Sequence, residues 1–205
     1  MRSVIVMKIA IDLDEVLGDF IKAFLHWYNY NYNAKLSKDD IVAYHLSDLF
    51  NISVDEEIQI IHRMLSEDGV VQLEPIRGAK EAVKKLAQKH ELYLVSARPE
   101  YLRSQTEEWI KKHFAGLFKG IYLTNQSSIK GGREVSKGYI CKKLGCNVLI
   151  DDGSHHIESV TKAGAKVIIL NRPWNSYHRF PKYIMRANNW DEIIRIINKI
   201  AKQYV

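Results

Sequence analysis

The sequence predicts an α/β fold: a mostly parallel sheet covered by helices on both faces, interrupted after its first strand by a small helical insertion. Three observations predict it. From residue 79 onward, short apolar runs alternate with segments of helical periodicity. Two apolar runs, Ile9-Ala10-Ile11 and Asn147-Val148-Leu149-Ile150, end abruptly in acid, at Asp12 with Asp14 and at Asp151 with Asp152. Between residues 16 and 75, helical patterns follow one another without a strand. Alternation argues for a parallel sheet, and the carboxyl ends of such strands are where ligands gather. The expected division is a core of residues 1–15 and 76–205 and a helical cap of residues 16–75.

The elements follow in order. Phe20, Ile21, Phe24, Leu25 and Tyr28 share one helical face. Residues 37–40 carry a helix-start pattern and residues 44–47 a turn. Ser53 and Glu56 form a capping-box pair ahead of Ile58, Ile61, Met64 and Leu65. Pro75 to Gly78 closes the insertion. Helices are then expected at 79–90, 101–114, 136–144, 156–163 and 190–204, and strands at 91–96, 120–124, 147–151 and 166–170. Gly145 suits the left-handed position just past a helix end.

Composition narrows the class. Of 205 residues, 46% are hydrophobic and 26% charged, the balance of an ordinary globular chain rather than a disordered one. The formal charge of +6 fits an anionic substrate, but the lysines are spread along helical faces without an arginine-rich arm, which disfavours a nucleic-acid stripe. Cys141 and Cys146 have no companions at zinc-ligand spacing, so a reducing cytoplasm is expected. The apolar amino-terminal stretch meets Asp12 too early for a secretion signal, and no run is long enough for a membrane helix.

Asp12 and Asp14, Ser96, Asp151 and Asp152, and the segment Asn171-Arg172-Pro173-Trp174-Asn175 all fall at expected strand ends, with Lys137 opening the helix before the Asp151 strand. A parallel sheet brings them to one edge. Four acids there need a cation, and hard carboxylates suit Mg²⁺, which keeps waters and accepts phosphate oxygens as ligands. Lysine and metal together neutralise phosphoryl oxygens, and a carboxylate can serve as nucleophile.

The segments DLDEV at 12–16, Ser96 in LYLVSAR, Lys137 in VSKGYICKKLG and VLIDDGS at 148–154 resemble, in order, the four motifs of the haloacid dehalogenase-like (HAD) phosphohydrolase superfamily. DLDEVLGDF, EPIRGAKEAVKKL, RPWN at 172–175 and RANNWDEI at 186–193 are similar to its 5′(3′)-deoxyribonucleotidase family. The resemblance implies a Rossmann-like HAD core and a Mg²⁺-dependent phosphatase of nucleoside or deoxynucleoside monophosphates. It implies Asp12 as nucleophile and Asp14 as acid and base, with Ser96, the Ala97 N–H and Lys137 holding the phosphate. Asp12, the Asp14 carbonyl and Asp151 hold Mg²⁺, Asp152 supports them, and Phe20 borders the nucleoside. The expected partner is a small phosphomonoester, with no membrane or nucleic acid; a homodimer is compatible. The alternatives are the same chemistry on a sugar phosphate, or a non-catalytic nucleic-acid-binding protein on this fold.

Each residue also has a plainer reading. A lone D-x-D is commonly a solvated turn, Ser96 a strand-end cap, Lys137 an exposed helix residue, and Phe20 a core residue. Trp27, Tyr28, Tyr30 and Tyr32 fit a cap core better than a stacking surface. His155 and His156 fit loop polarity better than a metal site. Arg98 is open between phosphate contact and surface pairing. Glu15 departs from the small residue many relatives carry after the second aspartate, and Ala97 from a second hydroxyl.

Overall fold

In the computed structural model, which describes residues 5–43, 45–69, 73–126 and 130–203, the strands are β1 (Lys8–Ile11), β2 (Glu91–Ser96), β3 (Gly120–Leu123), β4 (Val148–Asp151), β5 (Lys166–Leu170) and β6 (Met185–Ala187). They form one sheet in the order β3-β2-β1-β4-β5-β6, every pair parallel. The order reverses between β1 and β4, so a crevice opens beyond the carboxyl ends of those two strands. Register fixes what borders it. Ile11 pairs with Ile150, so Asp12 follows beside Asp151, and the Asp12 N–H donates to the Ile150 carbonyl at 3.0 Å.

The chain leaves β1 through a tight turn in which the N–H groups of Leu17 and Gly18 both donate to the Leu13 carbonyl, at 2.8 and 2.9 Å. It then forms α1 (Phe20–Tyr32), α2 (Ser47–Phe50) and α3 (Val54–Met64). The expected capping box starts α3, with Ser53 Oγ accepting from the Glu56 N–H and Glu56 accepting from the Ser53 N–H. The helix-start pattern at 37–40 yields only a single 3₁₀ turn, Lys38–Asp40, capped by Asp40 on the Ser37 N–H but with no buried residue to sustain a longer helix. Tyr28 stacks on Phe50 at 4.4 Å and on Tyr32 at 4.5 Å, the cap-core role expected of it, while Tyr30 is exposed. The outgoing and returning connections of this block lie side by side: Asp19 N–H donates to the Glu74 carbonyl and Ile76 N–H to the Leu17 carbonyl, each at 2.8 Å.

The remaining helices are α4 (Ala79–Ala87), α5 (Arg103–Phe114), α6 (Lys137–Leu144), α7 (Ile157–Lys162) and α8 (Trp190–Ala201). Helices α4, α5 and α8 pack with Ile9, Ile11, Leu94 and Ile150 on one face, and α6 and α7 with Ala10, Val95, Leu149 and Ile169 on the other. Strands buried on both faces are apolar throughout, which is why β1 and β4 show no alternation. β6 was not expected: three residues, Met-Arg-Ala, carry no readable period. Tyr44, residues 127–129 of the 125–134 loop, Tyr204 and residues 1–4 lie outside the described residues, so the expectations there are not compared.

Helix α6 ends as expected, with Gly145 left-handed at φ 68° and the Cys146 N–H on the Cys141 carbonyl at 2.9 Å. Its start is set by contact with α7. A Cβ on Gly138 would sit 2.2 Å from the Ser159 carbonyl oxygen. This close approach seats Lys137, the first residue of α6, beneath the crevice. Gly138→Ala is therefore expected to cost roughly 1–3 kcal/mol of stability by forcing the two helices apart. The urea midpoint checks it, and an unchanged midpoint would contradict the packing described.

Candidate active site

Asp12, at the end of β1, is buried, and its Oδ1 lies 3.0 Å from Lys137 Nζ. The same ammonium, 1% exposed, donates to Asp151 Oδ2 at 2.8 Å. Asp151 Oδ1 accepts from the Gly153 N–H at 2.8 Å. The two carboxylates do not fare equally. Burial raises the pKa of Asp12 to about 7, since the Lys137 charge only partly offsets desolvation and Asp151 and Asp14 add repulsion. Burial also acts on Asp151, but the charge and hydrogen bond of Lys137 and the Gly153 N–H outweigh it and hold that carboxyl below its ordinary value. The two acids together outweigh desolvation at Lys137 and push its pKa up. The Asp12 contact is an ion pair without hydrogen-bond alignment, and Oδ1 is left with no hydrogen-bond partner.

Asp14 takes a different direction. Its carboxylate is gripped by the Arg98 fork, Nε to Oδ2 at 2.9 Å and an Nη to Oδ1 at 2.7 Å. Arg98 is buried, its other Nη reaches Thr106 Oγ1 at 3.3 Å, and its backbone N–H donates to Ser96 Oγ at 3.3 Å. Arg98 is not paired on the surface: it is a buried clamp on Asp14 that also lines the cavity above.

Asp152 lies beside the pair. Trp174 Nε1 donates to its Oδ2 at 2.9 Å, and Asn175 Nδ2 donates to its carbonyl at 3.0 Å and to the Leu170 carbonyl at 2.9 Å. Burial first, then Asp151 and Asp12, raise the Asp152 pKa well above the ordinary value. The strand-end segment at 171–175 thus works as a buttress. Its Arg172 adds a second brace, with Nε 3.1 Å from the Glu15 carbonyl and 3.2 Å from Glu15 Oε2. Glu15 is left-handed at φ 58°, a conformation that disfavours a side chain, and its Oε1 accepts the Ile21 N–H at 2.7 Å. Burial raises its pKa against that hydrogen bond and Arg172. The residue that looked like a departure is a staple between the β1 turn and α1.

A cavity of about 270 Å³ opens over these groups. Asp12, Asp14, Ser96, Ala97, Lys137, Asp151 and Asp152 line its floor, and Phe20, Ile41, Ile58 and Ile61 line its walls. Phe20 lines the cavity, and its ring also stacks on Phe24 at 6.0 Å. His156 lines the cavity too, but burial and then Lys137 push its pKa down to about 3, so its imidazole is neutral. All the expected site residues therefore meet at one cavity.

The fit to a hard divalent cation can be read from three carboxylates. Oxygens of Asp12, Asp151 and Asp152 lie within 4.8 Å of one another, all buried. With one lysine among them, two of the three acids sit above their ordinary pKa, and one buried oxygen has no hydrogen-bond partner. A divalent ion supplies the missing positive charge, and an all-carboxylate donor set suits Mg²⁺. The emphasis differs from expectation in one respect: Asp152, expected only as support, contributes a carboxylate oxygen to the cluster.

Comparison with known proteins agrees with this geometry. The 5′(3′)-deoxyribonucleotidase of Bacillus subtilis (strain 168) is 27% identical over 191 residues, 91% of this chain and 96% of that protein. A nucleotidase of Clostridium acetobutylicum is 22% identical over 203 residues, covering 96% of each chain. Among solved structures, a haloacid dehalogenase-like hydrolase from Streptococcus pneumoniae superposes with a TM-score of 0.68 at 14% identity, over 94% of this chain and 98% of that one. A magnesium-bound HAD-hydrolase from Bacillus subtilis gives 0.65 at 15%, over 94% and 99%. The family described as 5′ nucleotidase, deoxy (Pyrimidine), cytosolic type C protein matches residues 4–204. The chain belongs to that family, and so is a phosphomonoester hydrolase of the 5′-nucleotidase type, with the fold of the haloacid dehalogenase-like hydrolases.

Proposed function

We propose that this protein is a Mg²⁺-dependent phosphatase that converts nucleoside and deoxynucleoside monophosphates to nucleoside and phosphate through an aspartyl-phosphate on Asp12. The observation that carries the reading is the buried Asp12 carboxylate at the cavity floor, ion-paired through Oδ1 to Lys137 at 3.0 Å. An Asp12 oxygen attacks phosphorus as the ester P–O bond breaks, and Asp14 delivers its proton to the departing oxygen. Water then attacks the phosphorus of the acyl phosphate and gives a proton to Asp14, restoring Asp12. Lys137, Ser96 and the Ala97 N–H bind the phosphoryl oxygens. Asp12, Asp151 and the Asp14 carbonyl, with Asp152 beside them, would hold Mg²⁺, which offsets the negative charge gathered there.

The helical block of residues 16–75 acts as the cap that selects the substrate, with apolar walls around the nucleoside. A cavity of about 270 Å³ has room for one small phosphomonoester. Among the described residues no helix is long and apolar enough to cross a membrane, and both cysteines are free, which supports a reducing cytoplasm.

Purified protein with Mg²⁺ is expected to release phosphate from nucleoside monophosphates, and Asp12→Asn to lower that rate by at least about 1,000-fold while the protein stays folded. Efficient release from sugar phosphates alone would overturn the substrate, and activity surviving in the variant would overturn the nucleophile. Metal stabilisation has a pH signature. Asp12 is raised from 3.8 to about 7 in the fold, so without metal the folded state binds more protons than the unfolded one across that window. Stability from this group is therefore present at the acid end and declines as pH rises toward 7. A cation replaces those protons, so Mg²⁺ is expected to raise Tm more at pH 7.5 than at pH 5. Thermal melts with Mg²⁺ or chelator check this; equal shifts at both pH values would contradict it.

A further inference from the structure

We infer that Arg98 is a positioning residue for proton transfer: it fixes the Asp14 carboxylate beside Asp12 and orients the Ser96 hydroxyl, without itself binding the phosphoryl group. The inference rests on the reading of Asp14 as the acid and base of the reaction. Three observations carry it. The guanidinium is 3% exposed and spends Nε and one Nη on the two oxygens of Asp14, at 2.9 and 2.7 Å. Its other Nη is directed at Thr106 Oγ1, whose own hydroxyl is anchored to the Leu102 carbonyl at 2.8 Å. The fork is thus held from behind by α5 and the turn before it, and a two-point contact fixes both the place and the plane of the carboxylate.

The backbone of the same residue does a second job. Its N–H donates to Ser96 Oγ, occupying a lone pair of that oxygen. The Ser96 hydroxyl proton is then free to point into the cavity that Ser96 lines, as a donor to a phosphoryl oxygen. Each Asp14 oxygen retains a second lone-pair direction clear of the guanidinium, so one oxygen can carry a proton while the fork stays in place. The proton moves from that oxygen to the leaving oxygen as the P–O bond breaks. The fork itself transfers nothing.

Leaving-group dependence separates this from a phosphate-binding or merely structural role. A nucleoside alkoxide must be protonated to depart, whereas nitrophenolate departs without a proton. Because kcat/KM reports only steps up to leaving-group release, Arg98→Gln is expected to lower kcat/KM for a nucleoside monophosphate by about 10–100-fold more than for p-nitrophenyl phosphate. Arg98→Lys, which keeps the charge but loses the fork, is expected to share that bias, and Asp14→Asn with Arg98→Gln to be less than additive. Equal losses on both substrates would assign Arg98 to phosphate binding or to folding and overturn the inference, as would full additivity. Thermal melts of each variant show whether the fold is retained; if Arg98→Gln is unfolded, Arg98→Lys decides. If the wild type cleaves p-nitrophenyl phosphate and glycerol 2-phosphate but no nucleotide, the substrate assignment fails while the same ratio, taken on glycerol 2-phosphate, still tests Arg98.

Discussion

The structure depends on one buried ammonium shared between two carboxylates. Lys137 has lost its water and regains interaction only from Asp12 and Asp151. Such a cluster is poor value as a source of stability, because desolvating three charges costs several kcal/mol each and apolar packing would do as well. What it achieves is placement. The register of β1 against β4 puts the acids side by side, and the close approach of Gly138 to Ser159 brings the lysine beneath them. The asymmetry of the triplet then matters for chemistry. Lys137 is hydrogen-bonded to Asp151 and only ion-paired to Asp12, so Asp12 remains the less satisfied partner and the better candidate to meet phosphorus.

Around that centre the surrounding polar residues act as braces. Arg98 grips Asp14, Arg172 grips Glu15, and Trp174 and Asn175 grip Asp152, so two consecutive positions of the β1 turn and one in the loop after β4 are each tied to a distant segment. Trp190 adds a fourth tie, its Nε1 donating to the Val16 carbonyl at 3.0 Å. On the proposed mechanism these ties hold the acids in place, where a displacement of about 1 Å can cost some 100-fold in rate. The two connections of the helical block run beside the same turn, paired backbone to backbone. The pairing, at Leu17, Gly18 and Asp19, ties that block to the turn that carries the acids.

Much of this was legible in the sequence, and the physical reasons differ by residue. Asp12 and Asp151 could be found because a double-covered strand is apolar throughout, so an acid at its end stands out. Ser53 and Gly145 were readable because capping depends on neighbours three to five positions away. Lys137 became readable only through the ordered set of motifs, since a lysine at a helix start is ordinary by itself. Arg98 and Glu15 were not readable: their partners lie 84 and 157 residues away, and nothing local distinguishes a clamp from a surface charge. β6 failed for another reason, being three residues long and defined by its pairing with β5 rather than by any pattern of its own. The 3₁₀ turn at 38–40 shows the limit of capping signals, which mark a start but not whether an apolar face follows to sustain a helix.

The central claim is that Asp12 becomes covalently phosphorylated. Rapid-quench of the protein with a nucleoside monophosphate and Mg²⁺, followed by borohydride reduction and peptide mapping, tests it most directly, because borohydride converts an aspartyl phosphate to homoserine. The account predicts homoserine at position 12 and nowhere else, dependent on substrate. Reduction at another carboxylate, or none in protein that turns over, would contradict it.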